Sequence, residues 1–109
     1  MSHDKKMRGS YYPHCSSTQR IYSKYGDVNG IFVIENECLC FHAKILMVSV
    51  KSRDIIIPLN DIVQVETMNL NGFMPFGVCV FTRDGKEYMF GHIQNKKLAR
   101  FIKNEAHII

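Results

Sequence analysis

Residues 55–65 read IIIPLNDIVQV, and this stretch decides the fold. The apolar run Ile55, Ile56, Ile57 meets Pro58. Proline lacks the N–H that a strand ladder needs, so it belongs at a strand end or a bend. Asn60 and Asp61 suit a turn, because their side chains bond to nearby backbone N–H groups. Ile62, Val63 and Val65 then resume a β-branched pattern. Two strands joined at a sharp corner satisfy all of these residues.

Upstream of the corner the chain reads as strands. Residues 30–34, GIFVI, combine β-branched and aromatic side chains, and residues 38–42, CLCFH, follow after the short turn Glu35-Asn36-Glu37. The pair reads as a hairpin. Alternation puts Leu39 and Phe41 on one face and Cys38, Cys40 and His42 on the other. Residues 45–50 extend this hairpin or form another strand, and Lys51-Ser52-Arg53-Asp54 makes a charged turn into the corner. Residues 18–25 alternate weakly and offer a first strand. Residues 1–16 show no period and read as a flexible N-terminal arm, from which Tyr11 and Tyr12 can rest on a domain spanning residues 17–109.

Downstream, residues 62–68 continue as a strand, and residues 69–77, NLNGFMPFG, read as a loop. Residues 78–82 and 87–90 are strands around Arg83-Asp84-Gly85-Lys86, where Asp-Gly supplies the positive φ angles of a tight turn. Asn95 is placed to cap a helix from Lys96 to about Ala106. Its Leu98, Phe101 and Ile102 gather on one side, opposite Lys96, Arg100 and Lys103. Glu105 falls within the apolar arc, which fraying at the helix end would explain. The fold class expected is mainly β, a small barrel of antiparallel strands capped by one C-terminal helix.

At 109 residues the chain has the length of one domain. Hydrophobic residues are 46%, an ordinary globular share, yet no apolar stretch approaches the ~20 residues of a spanning helix. The N-terminus MSHDKKMRGS lacks the apolar segment of a signal peptide. A cytoplasmic location follows as an expectation, with peripheral membrane attachment, and there the four cysteines stay reduced. The net charge of +4 permits an acidic partner without demanding one.

The order of these pieces resembles the GRAM domain family, of the pleckstrin-homology-like superfold. Gly30-Ile31-Phe32-Val33-Ile34 is similar to the family's glycine–aromatic strand, and Leu39-Cys40-Phe41 to its next strand. Ile57-Pro58-Leu59-Asn60-Asp61-Ile62 resembles the family's corner. Phe81-Thr82 with Gly85-Lys86-Glu87-Tyr88-Met89-Phe90 resembles its last hairpin, and Arg100-Phe101-Ile102 falls in the closing helix. The resemblance covers residues 20–104. It implies about seven strands with a helix plugging one end, and a non-catalytic module that binds phosphoinositides, other anionic lipids or proteins. The loop at residues 26–30 carries Asp27, where many lipid-binding pleckstrin-homology domains carry a basic cluster.

Basic candidates therefore lie elsewhere. Lys51 and Arg53, two apart, point the same way on an extended chain and with Lys44 can clamp a phosphate, the arginine bidentately. A solvated turn is the alternative. At the helix start Lys96 and Lys97, with Arg100 one turn on, oppose the helix dipole, and a bound anion would relieve that, a solvated basic face being the alternative. Phe73, Met74 and Phe76 form either an insertion loop for lipid or a protein partner, or a satellite core. Cys38, Cys40 and His42 lack the paired Cys-x-x-Cys spacing of zinc sites, so neither metal nor cofactor is expected. No nucleophile elbow, P-loop or His-Glu-x-x-His is present, so no enzyme is expected. Nucleic acid ranks last, because Phe32, Phe41, Phe81 and Phe90 alternate as core residues rather than as stacking platforms.

Overall fold

The computed structural model describes residues 6–13, 15–21, 28–44 and 54–108. Seven antiparallel strands form one sheet: β1 (Lys6–Tyr11), β2 (Val28–Glu35), β3 (Cys38–Ala43), β4 (Ile55–Pro58), β5 (Ile62–Leu70), β6 (Met74–Thr82) and β7 (Glu87–Gly91), ordered β4-β3-β2-β1-β7-β6-β5. One helix follows, α1 (Asn95–Ala106), packed on β5, β6 and the corner. The corner is a turn of 3₁₀ helix, Leu59–Asp61, linking the two edge strands. Main-chain bonds hold it, from Leu59 N to Glu37 O at 3.0 Å and from Arg83 N to Asp61 O at 2.7 Å. The Arg83 guanidinium adds a bond to Asn60 O at 2.8 Å.

The sheet bends around one core. Phe32, Phe41, Phe90, Leu39, Ile57, Val78 and Val80 meet Leu98 and Ile102 of the helix there, all of them buried. Two glycine pairs face each other across neighbouring strands: Gly9 faces Gly30 across β1 and β2, and Gly77 faces Gly91 across β6 and β7. A Cβ at Gly30 would collide with the His42 carbonyl and the Phe41 ring, and one at Gly9 with the Phe32 ring. The missing side chains let backbone and aromatic ring come together at the bend.

Five expectations change. The flexible arm contains β1, which lies in the middle of the sheet and pairs with β2 from Lys6↔Val33 to Tyr11↔Val28 and with β7 at Ser10↔Gly91 and Tyr11↔Phe90. Its period is masked in sequence because Lys6 and Arg8 occupy the outer face while Met7 and Tyr11 pack on the core. The weakly alternating residues 18–21 are not a strand; 22–25 and 45–50 lie outside the described residues. The loop at residues 69–77 is a hairpin. Leu70 pairs with Met74 around a turn in which Asn71 and Gly72 have φ of 53° and 82°. Gln94, not Asn95, holds the N-cap position and makes no side-chain cap bond, and the Asn95 amide instead donates to Gly77 O at 3.1 Å. The helix continues through Glu105, which is partly buried rather than frayed.

Residues 15–21 cross the outer face of the sheet. Tyr12 and Cys15 pack there with Leu70, Cys79 and Met89, flanked by Met68, Met74, Phe76 and Phe81. Phe81 thus belongs to this second cluster, unlike Phe32, Phe41 and Phe90, and β6 is covered on both faces. Burial, then the Glu87 carboxylate beside it, push the Cys79 thiol up to about 12. Glu87 also accepts from Ser17 N at 2.8 Å, and hydrogen bonding from Ser17 holds its carboxyl below the usual range. Because the folded value is the lower one, this contribution to stability is present above the unfolded value of about 4.3 and is lost as pH falls through the folded value. Melting curves between pH 6 and pH 3 should therefore fall more steeply for the natural chain than for Glu87→Gln. Parallel curves would refute the link.

Candidate functional site

Antiparallel topology gathers one end of the domain from three separate chain segments. The first is the β5–β6 turn, whose tip residue Phe73 is 75% exposed. The second is residues 20–21, held to that turn by the bond from Asn71 N to Arg20 O at 2.7 Å. The third is the β7–α1 connection. Gly91 pairs with Gly77 and His92 N donates to Phe76 O at 3.0 Å, so the chain leaves β7 beside the start of β6. Ile93 follows, 82% exposed, and the helix then begins.

Three exposed apolar side chains, Ile21, Phe73 and Ile93, therefore stand at the end that also carries Arg20, Lys96 and Lys97. Arg20 is oriented by its Nε–H, which donates to Ser17 O at 2.8 Å. Lys96 and Lys97 are exposed in a first helical turn that contains no acidic residue. Helical spacing continues the charge through Arg100 to Lys103. There Lys103 and Arg20 line a shallow groove of about 560 Å³ with Thr67, Asn69 and Glu66 of β5. The groove offers two cations and two polar side chains to an anion, against one carboxylate.

The predicted residues are dispersed differently. Lys96, Lys97 and Arg100 share the exposed helix surface as expected. Lys44 lies at the end of β3, tied by its N–H to Asn29 O at 2.7 Å, in the other half of the sheet. Its proposed companions Lys51 and Arg53 lie outside the described residues. Of the loop residues, only Phe73 projects, whereas Met74 and Phe76 are half-buried against the outer cluster. Arg20, Ile21 and Ile93 escape sequence reasoning, and Lys103 is legible only as part of the basic helix face, not as a neighbour of Arg20. Asn71-Gly72, a strong tight-turn dipeptide, is the signal that would have put Phe73 at a tip.

No helix among the described residues is long and apolar enough to cross a membrane. The family model of the GRAM domain matches residues 3–108. No curated protein matches the chain. Among solved structures, the crystal structure of the C-terminal domain of an unknown protein from Leishmania infantum superposes with a TM-score of 0.67 at 10% identity, over 94% of this chain and 81% of that one. At that identity the likeness is one of fold.

Proposed function

Since this chain belongs to the GRAM domain family, a family of lipid- and protein-binding domains, we propose that it is a non-catalytic cytoplasmic module that docks on anionic, phosphoinositide-bearing membranes through the end described above. The observation that carries this reading is the meeting of exposed Ile21, Phe73 and Ile93 with Arg20, Lys96 and Lys97. Magnitudes explain why both kinds of side chain are needed. Each cation near an anionic leaflet contributes about 1 kcal/mol, and three together would give weaker than millimolar binding. Inserting apolar side chains adds roughly 1.5–3 kcal/mol apiece. The sum is roughly 7.5–12 kcal/mol before ordering costs, which reaches the micromolar class even at its lower end.

The test is co-sedimentation with liposomes carrying a panel of phosphoinositides, against neutral liposomes, at two salt concentrations. Headgroup-selective binding that partly survives salt is expected. Phe73→Ser with Ile93→Ser, and separately Lys96→Glu with Lys97→Glu, should each weaken it at least tenfold with melting unchanged. Binding that merely tracks total charge, or that both double variants retain, would overturn the proposal. Phe73 also suits a protein groove. Association without lipid, abolished by Phe73→Ser and indifferent to charge reversal, would favour that second reading.

A further inference from the structure

The outer face of β2 and β3, remote in sequence from the site above, holds a cluster of three different ligand types. Glu35 ends β2, and Cys40 and His42 alternate along β3. The carboxylate and imidazole lean over the thiol and meet each other, Glu35 Oε1 lying 2.8 Å from His42 Nε2. One ligand atom from each residue lies within 4.8 Å of the other two. Cys40 is 5% exposed and forms the floor, while the half-exposed Glu35 and His42 form the rim.

A second observation concerns the far side of the ring. His42 Nδ1 lies 3.1 Å from Asp54 Oδ2, and the other oxygen of Asp54 accepts from Ala43 N at 3.1 Å. Asp54 is thereby fixed in place. In the metal-free chain both ring nitrogens face carboxylates, Nδ1–H donating to Asp54 and Nε2–H to Glu35, and a metal at Nε2 would take the place of that second proton while the bond to Asp54 is kept. A carboxylate behind the imidazole is the usual support of a metal-bound histidine.

We propose that Glu35, Cys40 and His42 form a zinc-binding site, with Asp54 orienting the histidine. Thiolate, imidazole and carboxylate together suit zinc, which takes S, N and O ligands. Bonds of about 2.0–2.3 Å place tetrahedral ligand atoms roughly 3.3–3.7 Å apart. Small rotamer changes at the exposed rim, opening the Glu35–His42 contact and drawing both toward Sγ, reach that geometry. The fourth position faces solvent and takes water. Zinc binds Cys40 as the thiolate and takes the place of the Nε2 proton of His42, so the thiol proton and the imidazole proton both pass to solvent. Cys38, on the same face, is not in the cluster. The site therefore differs from a plain two-cysteine strand motif by needing Glu35 instead.

The experiment titrates the reduced full chain with Co²⁺, then displaces it with Zn²⁺, reading the thiolate-to-cobalt charge-transfer band and the melting temperature. Expected are one equivalent bound, displacement by zinc and a rise in melting temperature. Cys40→Ser and His42→Ala should abolish the band, Glu35→Gln should weaken binding at least tenfold, and Cys38→Ser should leave it intact. Asp54→Asn should lower affinity about 10- to 100-fold while keeping the stoichiometry. Absence of the band in the natural chain, a band that survives Cys40→Ser, or one that depends on Cys38 would each overturn the proposal. Melting curves of the metal-free variants establish that each is folded.

Discussion

A chain beginning at Ser17 should fail to fold cooperatively. It lacks β1, and among the described residues β1 is the only link between β2 and β7 in the sheet order. Its removal leaves two three-stranded pieces, each with a new edge of unpaired N–H and C=O groups. Six paired positions with β2 and two with β7 go with it. So does Tyr11, whose ring lies 5.6 Å from Phe90 and 6.1 Å from Phe41. Tyr12 and Cys15 leave the outer cluster as well, uncovering Cys79 and Met89. Net stability of a domain this size is about 5–15 kcal/mol, and losing two cores' worth of contacts exceeds it. The expected readout is a broad, non-cooperative thermal transition with dye binding to exposed apolar surface. A sharp melt near that of the full chain would show that β1 is dispensable.

Phe32→Ala is expected to destabilise the domain by about 4 kcal/mol, since a fully buried phenylalanine leaves a cavity that its neighbours only partly close. Phe32 sits where relaxation is hardest. Its ring lies 4.9 Å from both Phe41 and Phe90, edge-on to the latter, and beneath the Gly9 backbone. At about 4–8 °C per kcal/mol the melting temperature should fall by roughly 15–30 °C. Phe73→Ser is the matched control, because the same residue type at an exposed tip should change melting by no more than a degree or two. Equal losses at the two positions would contradict the assignment of core and tip.

The hairpins and helix were legible because their signals are local. Leu39 and Phe41 face the core as alternation requires, and Leu98 and Ile102 do so as helical spacing requires. The chain turns at Asp84-Gly85, but only Gly85 takes the positive φ expected of the pair, at 86°. β1 was not legible, because a central strand with charges on one face and Gly9 within it carries a broken period. β6 was only partly so: its apolar residues serve two cores on opposite faces, and alternation does not reveal that the outer face is covered.

The candidate sites divide in the same way. Lys96, Lys97 and Arg100 are legible as one basic surface because a single helix displays them together. Arg20, Phe73 and Ile93 were not found as a group, because they are brought to one end by three different strand connections. Glu35 likewise joins Cys40 and His42 only across a hairpin and through the lean of two side chains. Sequence by itself determined the elements whose hydrophobic period and turn residues act within a few positions: the Pro58 corner, two hairpins, the amphipathic helix and hence the family. Tertiary structure alone decided that the N-terminal residues complete the sheet and which surface residues become neighbours. The physical reason is that strand pairing is a long-range choice, satisfied by backbone hydrogen bonds that any residue but proline can make, and so it leaves little trace in the side chains that make it.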